Sequence, residues 1–366
     1  MKIATVLGTR PEIIRLSLII KKLDQYASKH ILIHTRQNFT HSLSDVFFQE
    51  LGLRTPDYLL DPKQHSLGGQ LSVMFEKLEE IFLKELPDRV LVLGDTNSAL
   101  SAILSERMGI PVIHMEAGNR CFDWSVPEEK NRKIIDAVSS INMPYTEQSK
   151  ANLLREGIAV NRIMVSGNPI YEVLNHYEDR IFGSGILEQL KLIPKQFLLV
   201  TVHRAENVDN PVHLEEILKG INLVTESLQH RVICSLHPRT KSRLGTDSPL
   251  LLNMHPMVEF YEPFGFFDFV HLEKNALCVL TDSGTVQEEC CLFHVPTVTI
   301  RNTTERPETI DCGSNVVSGL NAEQIVRATQ IMTKQPTDWE IPKGYTDPDV
   351  SSKVIKYLLG GRKIIV

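Results

Sequence analysis

Short apolar runs alternate along this chain with longer stretches in which apolar residues recur at helical spacing. In the first half the longer stretches predict helices over Pro11–Tyr26, Leu67–Leu86 and Asn97–Met108. The short runs predict strands over Lys2–Leu7, His30–Thr35, Arg89–Leu93, Pro111–Met115, Ile141–Met143 and Ile163–Ser166. Because these runs are apolar almost throughout, they are typical of a parallel sheet with helices on both faces.

The alternation starts again after a break between Gly167 and Pro194. Strands are predicted over Phe197–Val202, Arg231–Leu236, Val258–Tyr261, Leu277–Thr281 and Thr297–Ile300, and helices over Val212–Leu228, Thr285–Leu292 and Asn321–Lys334. Two such series predict an α/β protein with two Rossmann-like domains, residues 1–168 and 169–348. A final helix over about 349–359 could return to pack on the first domain.

Composition narrows the class of protein. With 366 residues, 42% hydrophobic and 23% charged, the chain is typical of a soluble globular protein, and a net charge of −6 disfavours nucleic acid as a partner. No apolar run reaches the roughly 18–20 residues of a membrane span, so no membrane partner is expected. The six cysteines include no C-x-x-C pair, which gives no sign of a metal site and favours reduced thiols in the cytoplasm.

Polar residues that follow the strands of the first series are candidates for chemistry, because open α/β sheets bind ligands beyond the C-terminal ends of their strands. The Gly8–Glu12 turn opens a helix and offers backbone N–H groups and Arg10 to a phosphate, with Arg15 one turn further. Asp95 follows the fourth strand and could equally cap a helix. Glu116 ends an apolar strand, where an acid has few structural uses, whereas Glu128 could simply stabilise a helix start.

The second series carries a matching set. His203 and Arg204 follow a buried strand as a candidate acid/base and phosphate-binding pair, although a structural histidine is the alternative. Ser283, Gly284 and Thr285 open a helix and could hold a diphosphate, and Glu289 lies one turn into that helix. Arg306 lies in a loop that could close on an anion or remain solvated. Two domains facing across a cleft would combine both sets into a sugar-nucleotide site.

Eight motifs in order along the chain resemble those of the non-hydrolysing UDP-N-acetylhexosamine 2-epimerases. They are GTRPE at Gly8–Glu12, GDTNS at Gly94–Ser98, HMEAG at His114–Gly118, PEEKNR at Pro127–Arg132, HR at His203–Arg204, TDSG at Thr281–Gly284, QEE at Gln287–Glu289 and TTERPE at Thr303–Glu308. The resemblance implies a glycosyltransferase-B-like fold, a homodimer, and a reaction that needs neither metal nor nicotinamide cofactor. It implies that UDP is expelled to leave a 2-acetamidoglycal and is then added back with C2 inverted.

The resemblance also implies roles for individual residues. The expected catalytic residues are Asp95, Glu116, Glu128 and His203. The residues expected to bind UDP are Arg10, Arg15, Arg204, Phe269, Ser283, Gly284, Thr285, Glu289 and Arg306, with Phe269 stacking on the uracil and Glu289 at the ribose.

The sequence departs from the family pattern at several places. HMEAGNRCFD at His114–Asp123 is more similar to the branch that makes UDP-N-acetyl-L-fucosamine, so we favour that product over interconversion of UDP-GlcNAc and UDP-ManNAc. The segments Arg36–Phe39 and Lys63–His65 match poorly the loop through which some relatives bind a second, activating substrate. A glycosyltransferase of the same fold and an inactive sugar-nucleotide-binding protein are the remaining alternatives.

Overall fold

A computed structural model describes residues 1–36, 41–60, 66–244 and 253–360, together with their side chains except those of 41–45. The described residues divide into a first unit, within Met1–His176 and Lys343–Val366, and a second unit, Tyr177–Pro342. Residues 37–39 and 63–65 of the two candidate activator segments lie outside the described part of the chain.

The first unit is built around a six-stranded parallel sheet in the order β3-β2-β1-β4-β5-β6. Its strands are β1 Lys2–Leu7, β2 Lys29–His34, β3 Tyr58–Leu59, β4 Arg89–Leu93, β5 Val112–Met115 and β6 Ile141–Met143. Seven of its described α-helices precede the second unit along the chain: α1 Arg10–Tyr26, α2 His41–Glu50, α3 Leu67–Glu85, α4 Ser101–Arg107, α5 Pro127–Val138, α6 Glu147–Arg155 and α7 Ile170–His176. All five residues of β4 are buried, as a central parallel strand requires.

The second unit repeats the architecture with six parallel strands in the order β12-β11-β10-β7-β8-β9. The strands are β7 Phe197–Thr201, β8 Arg231–Ser235, β9 Val258–Tyr261, β10 Cys278–Thr281, β11 Thr297–Thr299 and β12 Asn315–Val317. The helices are α8 Glu178–Phe182, α9 Ile186–Gln189, α10 Ala205–Val208, α11 Pro211–Leu228, α12 Pro238–Leu244, α13 Phe266–Asn275, α14 Gly284–Leu292, α15 Pro307–Asp311 and α16 Ala322–Met332. Hydrophobic residues form a core on each face of the sheet.

The final helix, α17 Val350–Leu359, belongs to the first unit. Arg89 of β4 donates hydrogen bonds to the carbonyls of Tyr357 and Leu358 at 2.9 and 2.6 Å, which satisfies two acceptors at the end of this helix. Glu172 of α7 accepts the backbone N–H of Ser351 at 2.7 Å. Helix α7 also packs against α1, and the first unit continues to His176, whereas the sequence predicted a boundary at residue 168.

One predicted strand does not form. Ile163–Ser166 makes a single parallel bridge, between Ile163 and Asn142, and otherwise runs as irregular chain. Met164 and Ser166 donate backbone hydrogen bonds to the carbonyls of Asn142 and Pro144 at 2.9 and 3.0 Å, so the run lies beside β6 without becoming a seventh strand. Both sheets have the strand order of a Rossmann fold, which reverses between β1 and β4 and again between β7 and β10. None of the described helices is long and apolar enough to cross a membrane.

Candidate active site

The loop after β1 is organised by Glu12. Its Oε2 accepts the backbone N–H groups of Gly8 and Thr9 at 2.9 and 2.7 Å, and its Oε1 accepts the hydroxyl of Thr96 at 2.9 Å. Burial raises the pKa of Glu12 to about 7, although these donors oppose the rise. The two N–H groups that the sequence suggested for a phosphate are therefore bonded within the protein. Arg10 remains half-buried, with its guanidinium 5.0 Å from the Phe47 ring centroid.

Glu116 lies directly after β5 with a left-handed backbone, φ 65°. Its carboxylate accepts a hydrogen bond from the guanidinium of Arg15, and the Tyr145 hydroxyl lies 3.4 Å from the same oxygen. Arg15 is 1% exposed, so this ion pair is screened from water. The structure thus places Arg15, which we expected at UDP, against the candidate catalytic carboxylate.

Asp95 follows β4 and is held by α5. Arg132 donates to the Asp95 carboxylate and also to Glu129 at 2.8 Å, while Asn131 Nδ2 donates to the Asp95 carbonyl at 3.0 Å. This ion pair joins the loop after β4 to α5, and the Asp95 side chain is 18% exposed. Glu128 lies half-buried in the first turn of α5, one residue before the fully buried Glu129.

A buried histidine connects the loops that carry Asp95 and Glu116. His114 Nε2 lies 2.8 Å from the carbonyl of Gly94, and its Nδ1 lies 2.9 Å from Asp136 Oδ1. The other oxygen of Asp136 accepts the Gly118 N–H at 3.2 Å and Arg120 at 2.6 Å. One His–Asp pair therefore contacts the peptide before Asp95 and a peptide two residues beyond Glu116.

Asp282 is the centre of the corresponding site in the second unit. Its Oδ2 accepts the backbone N–H groups of His203 and Arg204 at 2.9 and 2.8 Å and the amide of Asn207 at 3.0 Å. His203 Nδ1 lies 3.1 Å from Asp282 Oδ1, and the His203 ring also packs against His237. Burial alone would raise the pKa of Asp282, but the charge and hydrogen bond of His203 and the N–H of Arg204 lower it to about 2.

Paired charges also hold the loop that contains Arg306. Arg204 Nη2 donates to Glu305 Oε1 at 2.7 Å, and Arg301 Nη1 donates to Glu305 Oε2 at 2.6 Å. Arg306 donates to Glu288 on α14. A Cβ on Gly284 would lie 3.4 Å from the Arg306 guanidinium, so glycine lets Arg306 approach the start of α14 closely.

The other predicted UDP contacts lie at or near α14. Ser283 and Thr285 are half-buried at its N-terminus, and Glu289 is buried one turn further. The N–H of Ser283 already donates to the Thr281 hydroxyl at 3.0 Å. Phe269 is 3% exposed and packs in the hydrophobic core of the second unit, whereas Phe264 is only partly buried. Stacking of Phe269 on a base stays a prediction.

Sequence reasoning missed the residues that hold the candidates in place: Glu12, Glu129, Arg132, Asp136, Asp282 and Glu305. Five of them are inside the motifs GTRPE, PEEKNR, TDSG and TTERPE. A usable signal was present, because each buried arginine or carboxylate needs an opposite charge or several hydrogen bonds. Which partner each takes depended on contacts between distant segments, such as Arg204 with Glu305.

Two Rossmann-type sheets, each with polar residues gathered beyond its C-terminal strand ends, define a nucleotide-sugar enzyme of the glycosyltransferase-B-like class. The chain belongs to the UDP-N-acetylglucosamine 2-epimerase family, whose sequence pattern it matches over residues 21–359.

Named relatives agree with this assignment. The chain is 41% identical over 355 residues to the UDP-N-acetylglucosamine 2-epimerase of Methanocaldococcus jannaschii, covering 94% of this chain and 95% of the relative. The crystal structure of M. jannaschii UDP-GlcNAc 2-epimerase in complex with UDP-GlcNAc and UDP matches with a TM-score of 0.93 and 39% identity, over 99% of this chain and 100% of that one. A UDP-2,3-diacetamido-2,3-dideoxy-D-glucuronate 2-epimerase of Pseudomonas aeruginosa is 35% identical over 363 residues, covering 98% of this chain and 99% of the relative.

Proposed function

We propose that this enzyme inverts C2 of a UDP-2-acetamido sugar by eliminating UDP and adding it back. In the first half-reaction the C1–O bond breaks, its electron pair leaves with UDP, and a carboxylate takes the C2 proton to give the 2-acetamidoglycal. In the second half-reaction a proton is delivered to the opposite face of C2 while UDP re-forms the C1–O bond. Two faces need proton transfer, so more than one carboxyl group is required.

The observation that carries this proposal is the pairing of Glu116 with Arg15 at the end of β5. A buried guanidinium favours the ionised form of an adjacent carboxylate, which is the form that can accept a proton. We assign proton transfer and stabilisation of the positive charge at C1 to Asp95, Glu116 and Glu128. The first unit would supply these groups.

The second unit would bind UDP. We assign the diphosphate to the N-terminus of α14, where Ser283, Gly284 and Thr285 lie, together with Arg306 and Arg204. Arg10 of the first unit would add a further positive charge. His203, oriented by Asp282, would hold or protonate the leaving diphosphate, and Glu289 would accept hydrogen bonds from the ribose.

UDP-GlcNAc and UDP-ManNAc are the substrates that we now favour. The case for the L-fucosamine branch depended on the segment Asn119–Asp123 reaching the sugar. In the structure Asn119 accepts the Ser149 hydroxyl at 2.7 Å, and Arg120 is bound to Asp136 and Glu156. These two side chains serve the protein interior, which weakens that case. Phe122 of the same segment is 69% exposed, so the L-talo substrate stays the second candidate.

Incubation of each UDP-sugar in D2O tests the reaction. An epimerase incorporates deuterium at C2 and accumulates the C2 epimer, whereas a glycosyltransferase needs an acceptor and a binding protein does neither. Parallel assays with UDP-GlcNAc and the UDP-L-talo sugar assign the substrate. Absence of C2 deuterium with both sugars would show that the proposed reaction is wrong.

Carboxamide variants test the residue assignments. We expect Glu116→Gln, Asp95→Asn and Glu128→Gln each to lower kcat by about 10²- to 10⁴-fold while UDP still binds. Glu147→Gln is the matched control, because Glu147 lies in the first turn of α6 as Glu128 lies in that of α5 and its side chain is exposed. An equal loss of UDP affinity and turnover would assign these carboxylates to binding instead.

A further inference from the structure

Two cysteines of the second unit lie side by side. Cys291 is near the C-terminal end of α14 and Cys312 directly follows α15, and their sulfur atoms are 3.8 Å apart. Cys291 is buried, whereas Cys312 is partly accessible to solvent. A disulfide needs the sulfurs to come within about 2.05 Å, so closure requires a movement of less than about 2 Å.

The two thiols have different reactivities. The hydrogen bond with Cys291 lowers the pKa of Cys312 to about 6, against the effect of burial, and it raises the pKa of Cys291. Cys312 is therefore largely a thiolate near neutral pH, and thiolates are the reactive form. Burial raises the pKa of Cys278 to about 12 and raises that of Cys234, which makes these thiols inert by comparison.

We propose that Cys312 and Cys291 form a reversible intramolecular disulfide under peroxide, and that this disulfide weakens UDP binding. The Cys312 thiolate attacks one oxygen of hydrogen peroxide, the O–O bond breaks, and the products are a sulfenic acid and hydroxide. The sulfur of Cys291 then attacks the sulfenic sulfur, the S–O bond breaks and a second hydroxide leaves. With the two thiol protons the sum is one disulfide and two waters, and peroxide is reduced by two electrons.

The proposed effect of the disulfide on UDP binding is transmitted through Thr309, and it rests on the proposed function. The sulfur of Cys312 lies 3.5 Å from the Thr309 carbonyl oxygen, and the Thr309 hydroxyl donates to the Arg306 carbonyl at 2.7 Å. Arg306 is in turn paired with Glu288 on α14, the helix that also carries Cys291. Closing the disulfide draws the Cys312 sulfur towards Cys291 and pulls the end of α15 towards the C-terminal end of α14. The segment expected to hold the diphosphate therefore moves.

Peptide mapping of the full-length protein tests the covalent step. After treatment of the reduced protein with hydrogen peroxide, we expect one disulfide-linked peptide that joins Cys291 and Cys312. Cys290→Ala is the matched control and should keep the link, because Cys290 packs in the core beside Cys291 without contributing to the pair. Cys312→Ser should abolish it, and Cys291→Ala should leave Cys312 to oxidise to sulfinic acid. Sulfinic acid at Cys312 in the unmutated protein, or only intermolecular links, would overturn the proposal.

UDP titration of the same samples tests the coupling. We expect the oxidised protein to bind UDP roughly tenfold more weakly, the effect of losing one charge-assisted hydrogen bond, and dithiothreitol to restore the affinity. Cys312→Ser should be insensitive to peroxide. An oxidised protein with unchanged UDP affinity contradicts the coupling, whereas a reduced protein that fails to bind UDP contradicts the proposed function and not the disulfide.

Discussion

Replacing Asp282 by asparagine probes the buried carboxylate that holds His203. The amide oxygen of asparagine can keep the three donors that now meet Oδ2, from His203, Arg204 and Asn207. Its NH2 group then faces His203 Nδ1, which lies 3.1 Å from the other carboxylate oxygen in the native protein. The variant thus loses a buried negative charge while the shape of the side chain is preserved.

The expected magnitude follows from proton linkage. The pKa of Asp282 falls from its ordinary 3.8 to about 2 in the folded protein. A difference of about 2 pKa units corresponds to about 2 kcal/mol of stability that is fully present above pH 4. Because the folded-state pKa is depressed, this contribution is lost as the pH falls from about 4 to about 2. Asp282→Asn should therefore lower the free energy of unfolding by about 2 kcal/mol at pH 7, and the difference should shrink below pH 4.

Urea unfolding measures this effect in the second unit alone. The chain has two tryptophans, and Trp339 belongs to the second unit whereas Trp124 belongs to the first. In a Trp124→Phe background, Trp339 fluorescence reports on the second unit. Asp338→Asn, at an exposed carboxylate of the same unit, is the control and should have little effect. Equal unfolding free energies for Asp282→Asn and its parent at pH 7 would refute the reasoning.

Three further predictions concern the first unit. Gly118→Ala should lower the free energy of unfolding in urea by about 3 kcal/mol, because φ is +79° and a Cβ would lie 2.2 Å from the Ser149 carbonyl oxygen. Gly109→Ala is the control: φ is +75° there but the space is open, so the loss should be only about 1 kcal/mol. His114→Gln can still donate a hydrogen bond to the Gly94 carbonyl, so it should retain more turnover than His114→Leu at matched UDP affinity. Equal losses of kcat in the two variants would argue against a role for the His114–Gly94 hydrogen bond. The unfolding free energy should fall by up to about 3 kcal/mol as the pH rises from 4.5 to about 7, because Glu12 holds its proton longer in the folded state, and Glu12→Gln should remove that dependence.

Much of the fold followed from hydrophobic runs. The predictions of β1, β4, β6 and β9 are confirmed to the residue. Most of their residues are apolar, although Asn142 interrupts β6 and Glu259 interrupts the half-buried β9. The strand β3, Tyr58–Leu59, has only two residues and no periodicity to detect. Ile163–Ser166 shows the opposite error. Met164 and Ser166 donate backbone hydrogen bonds to the carbonyls of Asn142 and Pro144, yet the run forms only one bridge and no strand.

The sequence predicted where the candidate residues lie at the strand ends, but not which charged side chains they pair with. Asp95, Glu116 and His203 all follow central strands, as the rule for open α/β sheets predicts. The partners of Arg15 could not be read from the sequence, because Glu116 lies 101 residues away and meets it only through the sheet. Local patterns identify what a strand presents at its end, whereas charge pairing depends on how separate loops meet.

The left-handed backbone of Glu116 affects how this chain can diverge. Glycine at position 116 would relieve roughly 1–2 kcal/mol of backbone strain. It would also remove the Glu116 carboxylate that the buried Arg15 guanidinium now contacts, at a cost of several kcal/mol. Replacing Arg15 first removes the positive charge beside the buried Glu116 carboxylate. Each single step is unfavourable for folding, so genetic drift away from this pair is obstructed even in a lineage that no longer needs the reaction.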